Sequence, residues 1–118
     1  FERSSQGNVS IMECEPFGKY IVLENESGSI DEDISGYQII RTIDGVTAIR
    51  YTIPRHTILG ARRKLTIYAR GGGGVHSHDS IIFDSEASWG QGTVVVTTLL
   101  NAHGVERAIL TQKTSPFH

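Results

Sequence analysis

Two histidines separated by one residue, His76 and His78, are followed directly by Asp79. Residues two apart on a strand point to the same side, so the two imidazoles could share one zinc ion. A zinc site needs three or four converging ligands, and the sequence offers no visible further partners, since Cys14 is its only cysteine. The neighbours Ser77, His78 and Asp79 are not a catalytic triad either, because adjacent residues do not usually converge. We predict two solvated loop histidines, with no metal and no catalytic residue.

Four consecutive glycines, Gly71–Gly74, precede the histidines. A phosphate-binding loop continues into a helix and usually carries Lys-Ser or Lys-Thr at that point. Here the histidine segment follows, and after it residues 80–84, SIIFD, which read as a strand. The context predicts a flexible loop between strands, and we expect no cofactor.

A run of acidic residues resembles the first half of a calcium-binding loop, with Asp31, Asp33, Ser35 and Gly36 at matching positions. The second half does not match, because the twelfth position is Thr42 rather than a glutamate and the flanks read as strands rather than helices. We predict a solvated acidic turn.

Basic residues are less evenly distributed than the formal net charge of −2 suggests. Neighbouring strands could align several of them into a patch on a sheet edge, which would contact acidic protein surface or, weakly, phosphates. The alternative is that they only prevent edge-to-edge aggregation. The balanced total gives no general basic footprint, so nucleic acid is not the expected partner. The candidate partner-binding residues are Arg41, Arg50, Arg55, Arg62, Arg63 and Lys64.

Short strands are the elements that must position these side chains. From Lys64 to Arg70 the sequence alternates, with Leu65, Ile67 and Ala69 on one side and polar residues or Tyr68 on the other. This is the period of a strand with one buried face. Asp44-Gly45 predicts a tight hairpin turn. Further strands are predicted at 8–13, 19–25, 36–43, 48–53, 80–84, 93–100 and 106–112.

No segment keeps a helical period over 12 or more residues, and Val, Ile and Thr together outnumber Ala and Leu. These features predict an all-β fold, an antiparallel sandwich or barrel of about eight or nine short strands. The length of 118 residues suits one domain, with flexible ends over 1–6 and 113–118 and the globular part over 7–112. No apolar run approaches the ~20 residues that cross a bilayer, so membrane insertion is not expected.

Six segments in order carry a resemblance to a known family. The sequence resembles the lamin tail domain, the immunoglobulin-like globular module in the tail of intermediate-filament proteins. The segments are GNVSIMECEPFGKYIVLEN, GYQIIR, YTIP, LTIYARGGGGVHS, SWGQG and NAHGVERA. Many members have Ser-Pro-Pro where this chain has Ser77-His78-Asp79, so the loop should be less rigid here.

The resemblance implies an immunoglobulin-like β-sandwich. Tyr37 and Tyr68 stand where members often have tryptophan, which implies that both belong to the core. Trp89, the only tryptophan, lies in the predicted loop 85–92 with Gly90 and Gly92, and we expect it to close one end of the sandwich. The predicted structural core residues are Tyr20, Tyr37, Ile67, Tyr68 and Trp89.

The resemblance also implies a non-catalytic tail module of an intermediate-filament protein. Such a module makes protein–protein contacts with filament subunits or filament-associated proteins. The lead-in FERSSQGNVSI is more similar to an invertebrate cytoplasmic filament protein than to a nuclear lamin. A coiled-coil rod upstream would dimerise the full-length protein, while the isolated domain would be a monomer. The alternative is a nuclear lamin tail that binds nuclear-envelope proteins and, weakly, DNA.

Overall fold

The computed structural model describes residues 2–114, which form eleven strands and one short 3₁₀ turn. Their bounds are β1 Glu2–Ser5, β2 Val9–Cys14, β3 Tyr20–Asn25, β4 Glu32–Asp33, β5 Gln38–Ile43, β6 Val46–Thr52, β7 Ile58–Leu59, β8 Lys64–Ala69, β9 Ser80–Phe83, β10 Val94–Leu100 and β11 Glu106–Lys113, with the 3₁₀ turn at Arg70–Gly72. All eight strands predicted from the sequence are present, and β1, β4 and β7 are additional.

The strands form a sandwich of two main sheets. The five-stranded sheet has the order β1-β11-β10-β5-β6, and the four-stranded sheet has the order β2-β3-β8-β9. A separate pair, β4-β7, lies outside both. Every pairing is antiparallel except β8 with β9, which is parallel. The prediction of an all-β, immunoglobulin-like sandwich is confirmed.

One core of branched aliphatic side chains lies between the sheets. The alternation predicted along β8 is observed, because Leu65, Ile67 and Ala69 are buried while the residues between them are not. Ile39 of the five-stranded sheet and Leu23 of the four-stranded sheet belong to the same cluster. Burying such side chains from both inner faces is what holds the two layers together.

The predicted structural core residues occupy two environments. Ile67 and Trp89 are fully buried, and Tyr37 packs against the core. Tyr20 and Tyr68, however, lie opposite each other on the outer face of the four-stranded sheet, with ring centroids 5.7 Å apart. The expectation that they belong to the core needs correction. The pleat explains it, because the next pair along, Ile21 with Ile67, points inward and successive residues alternate.

Trp89 lies in the loop between β9 and β10 and is bonded to several parts of the fold. Its indole N–H donates to the carbonyl of Ile67 at 3.0 Å, and its main-chain N–H donates to the carbonyl of Gly18 at 2.8 Å. Its ring contacts Phe83 and Tyr51, with centroid distances of 5.2 and 5.9 Å. An otherwise irregular loop is thereby fixed to the core.

The sequence suggested that the glycine run is a flexible loop, but Gly71, Gly72 and Gly74 are closely packed, and only Gly73 of the four has open space beside it. A Cβ on Gly72 would meet the carbonyl oxygen of Lys19, and one on Gly74 would meet the ring of Tyr68. Glycine is needed at these two positions because other parts of the chain approach the backbone closely.

The chain ends also differ from expectation. A flexible lead-in is expected over residues 1–6, but Glu2–Ser5 pairs with β11 as an edge strand. All four side chains of β1 are exposed, so no hydrophobic period marks it in the sequence; the pairing with β11 and a bond from the Arg3 guanidinium to the carbonyl of Met12 hold it. At the other end, Lys113 is the last residue of β11, and Thr114 donates its N–H to the carbonyl of Thr93. The rest of the predicted flexible tail, 115–118, and residue 1 lie outside the described residues.

Candidate functional site

A groove of about 690 Å³ opens where three segments meet at one side of the sandwich. Its lining comes from residues 54–60, from 63–65 and from 76–79 together with Ile81. We call this concavity the basic groove. The first two segments are neighbours in sequence, and the pairing of β8 with β9 brings the third, more distant segment beside them.

The first wall is the connection from β6 to β7. Pro54 follows the end of β6, since it has no N–H for the sheet ladder, and its carbonyl accepts the hydroxyl of Thr57 at 2.8 Å. The main-chain N–H of Thr57 donates to the hydroxyl of Ser35 at 3.0 Å. Leu59 is buried and pairs with Glu32 across β4-β7. This wall is therefore tied to the body of the domain at both ends.

The opposite wall is the turn that leads into β9. The hydroxyl of Ser77 donates to a carboxylate oxygen of Asp79 at 2.7 Å, and the main-chain N–H of Ser77 donates to the carbonyl of Ser80 at 3.0 Å. The hydroxyl bond from Ser77 lowers the pKa of the Asp79 carboxyl. The Ser77 hydroxyl is thus directed at the carboxylate and not at His78, which is not the arrangement of an activated nucleophile.

The lining combines exposed basic groups with an apolar floor. Leu59, Leu65 and Ile81 are buried beneath it, and Ile58 is 57% exposed beside them. Asp79 is the one carboxylate among the lining residues. The basic or imidazole side chains are Arg55, His56, Arg63, Lys64, His76 and His78, and all six are exposed.

The structure divides the six predicted partner-binding residues. Arg55, Arg63 and Lys64 line the basic groove. Arg62 does not, because its backbone has a positive φ of 61° and its guanidinium lies against Gly28. The main-chain N–H of Arg62 donates to the carbonyl of Ser27.

Arg50 lies on β6, at the edge of the five-stranded sheet, and donates to the side chain of Gln38 at 3.1 Å. The sequence suggests Arg41 as its cross-strand neighbour. The register instead places Arg50 opposite Ile40 and Arg41 opposite Ile49, because the tight turn pairs Ile43 with Val46 and the bulge between Arg41 and Thr42 shifts the pairing by only one residue. Arg50 is therefore separate from both Arg41 and the groove.

Arg41 cannot contact a partner, and its assignment to a surface patch is wrong. Its side chain is 2% exposed. Nε donates to the carbonyl of Trp89 at 3.1 Å, Nη2 to the carbonyl of Gly90 at 3.2 Å, and Nη1 to the hydroxyl of Thr97 at 2.6 Å. Burial lowers the pKa of the guanidinium. Its alternation with buried Ile39 was the available signal for an inward position.

The histidines are exposed, and the structure adds a third one to them. His56 lines the basic groove together with His76 and His78. The sequence gives no sign of this, since His56 is twenty residues from the pair. Within residues 2–114 no three metal-ligating side chains come close enough to hold an ion.

The acidic segment provides acceptors for turns. A carboxylate oxygen of Asp31 accepts the N–H of Ala61 at 2.9 Å, and one of Asp33 accepts the N–H of Ser35 at 3.0 Å. Side-chain and main-chain bonds from Ser35 lower the pKa of Asp33. Both carboxylates thus help to fix the β4-β7 pair, which forms the base of the groove wall.

Cys14 is buried and contacts the hydroxyl of Thr97 through Sγ at 3.4 Å. Burial raises the pKa of its thiol, which disfavours the thiolate. A thiol in this state is a poor nucleophile and fills space in the core.

Comparison with known proteins gives consistent matches. Residues 2–114 match the family model described as Lamin Tail Domain. The chain is 50% identical over 115 residues to intermediate filament protein ifb-2 of Caenorhabditis elegans and 50% identical to intermediate filament protein B of Ascaris suum. It is 44% identical to the muscle cell intermediate filament protein OV71 of Onchocerca volvulus.

These alignments cover 97–98% of this chain but only 20–27% of the relatives. The chain thus spans about a fifth to a quarter of the length of these proteins. Among the described residues, the structure contains no helix of the length and hydrophobicity that crossing a membrane requires.

Proposed function

Since the chain belongs to the Lamin Tail Domain family, we propose that it is the non-catalytic globular tail module of an intermediate filament protein. Its role is to make the protein–protein contacts that attach or organise filaments. The similarity to intermediate filament proteins of nematodes supports this assignment. As in a cytoskeletal filament protein, the location is the cytoplasm.

The observation that carries the proposal is the basic groove. Its six basic or imidazole groups are exposed, so they are free to meet another molecule, and both of its walls are fixed by hydrogen bonds. Loops held on a rigid β-sandwich are well suited to binding. An excess of positive charge in a concavity also raises the rate of encounter with an acidic partner.

In the full-length protein, a coiled-coil rod would join two chains, whereas the isolated domain is a monomer. Two tails on one dimer, and many along a filament, raise the effective concentration of a weak binding site. A single groove of modest affinity is then sufficient to hold a partner on a filament.

The test is cosedimentation of the 118-residue chain with assembled filaments of the full-length protein. The triple variant Arg55→Glu, Arg63→Glu, Lys64→Glu should lose most of the binding, because it reverses the groove's charge. The matched control, Arg50→Glu with Arg62→Glu, changes exposed arginines outside the groove and should bind like the wild type. Surface changes of this kind alter stability by about 0.5 kcal/mol or less, so both variants should melt normally. Equal binding by the wild type and the triple variant would refute the assignment of the groove.

A further inference from the structure

Resting on this proposed function, we propose that the occupant of the basic groove is an extended acidic peptide segment of a partner protein. The segment places one aliphatic side chain on the apolar floor and its carboxylates against the basic rim. Charge complementarity is the first argument. Arg55, Arg63 and Lys64 bring basic side chains to the lining, and three imidazoles stand among them.

The floor supplies the second argument. Ile58, 57% exposed, offers an apolar side chain beside the charged rim, above the buried Leu59, Leu65 and Ile81. A purely ionic ligand would leave the side chain of Ile58 in contact with water. A Leu, Ile or Met side chain from a peptide would cover it and gain the free energy of burying apolar area.

The size of the groove supplies the third argument. Its volume of about 690 Å³ lies in the range of roughly 300–1,000 Å³ that encloses a small ligand. A groove of this volume takes a few residues of extended chain and is too small for the face of a folded domain. Contacts of this kind are weak and transient, and they depend on repetition along a filament for their strength.

The same features disfavour a polyphosphate backbone. The lining residues include no Phe, Tyr or Trp on which a base could stack. Asp79 lines the groove, with its carboxylate bonded to the hydroxyl of Ser77, and two more carboxylates adjoin the wall. Asp31 bonds to the N–H of Ala61, and Asp33 pairs with Ile58 across β4-β7. A nucleic acid strand would pass these charges at each phosphate, whereas a peptide can place an uncharged residue beside them.

The experiment is calorimetric titration of the 118-residue chain with three blocked peptides. The first is acetyl-Glu-Asp-Leu-Glu-Glu-amide, the second replaces its four acids by Gln and Asn, and the third replaces its Leu by Ser. We expect the first peptide to bind with an affinity that falls as salt is raised. The peptide with Gln and Asn in place of its acids should bind at least tenfold more weakly than the first peptide. The peptide with Ser in place of Leu should bind several-fold to tenfold more weakly than the first.

Two protein variants locate the site. The triple variant of Arg55, Arg63 and Lys64 to glutamate should lose binding of the acidic peptide, while Arg50→Glu should keep it. A far-ultraviolet circular dichroism spectrum like that of the wild type for both variants shows that neither effect comes from unfolding.

Several results would overturn the proposal. The first is equal affinity for the acidic peptide and for the peptide with Gln and Asn in place of its acids. The second is unchanged binding of the acidic peptide by the triple variant. The third is a single-stranded oligonucleotide that binds more tightly than the acidic peptide and depends on the groove residues. If the peptide fails to bind while cosedimentation with filaments still depends on the groove, the acidic occupant is refuted and the tail-module function stands. If cosedimentation itself is independent of the groove, the proposed function fails as well.

Discussion

Replacing Arg41 by lysine tests whether the hydrogen bonds of the buried guanidinium stabilise the domain. The change keeps the positive charge and removes the planar guanidinium with its several N–H donors. The guanidinium spans from β5 to the carbonyls of Trp89 and Gly90 and to the hydroxyl of Thr97 on β10. Thr97 is also the contact of Cys14, which lies on β2 of the other sheet. The side chain thus connects one sheet, the tryptophan loop and, through Thr97, the second sheet.

The expected magnitude follows from the hydrogen bonds. An ammonium group has no counterpart of the Nε donor and cannot reproduce the spacing of the two Nη groups, so we expect two of the three bonds to be lost. Bonds to charged groups contribute about 1.5–3 kcal/mol each, so Arg41→Lys should lower the free energy of unfolding by about 3 kcal/mol or more. For a domain near this size, that corresponds to a fall in Tm of about 12 °C.

The assay is urea unfolding followed by the fluorescence of Trp89, the only tryptophan and a fully buried one. The matched control is Arg50→Lys, on the neighbouring strand, where one exposed bond to Gln38 should make the change nearly neutral. A loss of less than about 1 kcal/mol for Arg41→Lys would show that the guanidinium is not held by this set of acceptors.

Three further predictions concern stability. Trp89→Ala should cost about 3–5 kcal/mol by calorimetry, since it empties the centre of the core and removes an indole bond; an unchanged melt would contradict its placement. Gly72→Ala should cost about 2–3 kcal/mol by urea titration, because its Cβ meets the Lys19 carbonyl, whereas Gly73→Ala, in open space at φ 79°, should cost only about 1 kcal/mol; the reverse order would be inconsistent with the packing of the turn. Burial raises the pKa of Tyr51 to about 12, above the ordinary value of 10.0. The phenol of the unfolded chain therefore ionises first, and stability should fall as the pH rises from about 10 to 12. Tyr51→Phe should show a shallower fall in denaturant titrations across that range, and an identical slope would refute this cause.

The sequence predicts the fold well where a local rule acts alone. Alternation over Lys64–Ala69 identifies β8 and its buried face, and the Asp44-Gly45 pair identifies a hairpin in which both residues have positive φ, 49° and 85°. The two-residue strands β4 and β7 are too short to show any period, and β1 is paired through its backbone alone.

The groove is less accessible to prediction. Arg55, Arg63 and Lys64 are recognisable as basic residues, but their meeting with His76 and His78 depends on the parallel pairing of β8 with β9. No spacing rule within the sequence reports that pairing.

Arg41 shows a conflict between two local signals. A charged side chain usually lies at the surface, but Arg41 is two residues from buried Ile39 on the same strand and therefore points to the same inward face. The inward position is favoured because the carbonyls of the tryptophan loop and the hydroxyl of Thr97 accept hydrogen bonds from the buried guanidinium.

The most direct test of the central claim is an ¹⁵N–¹H chemical-shift titration of the 118-residue chain with the intermediate filament protein to which we propose it belongs. If the domain binds partners through the basic groove, shifts should concentrate in residues 54–65 and 76–81, and the Arg55, Arg63 and Lys64 charge-reversal variant should not show them. Shifts concentrated on β5 and β6, or the same shifts in that variant, would contradict the account.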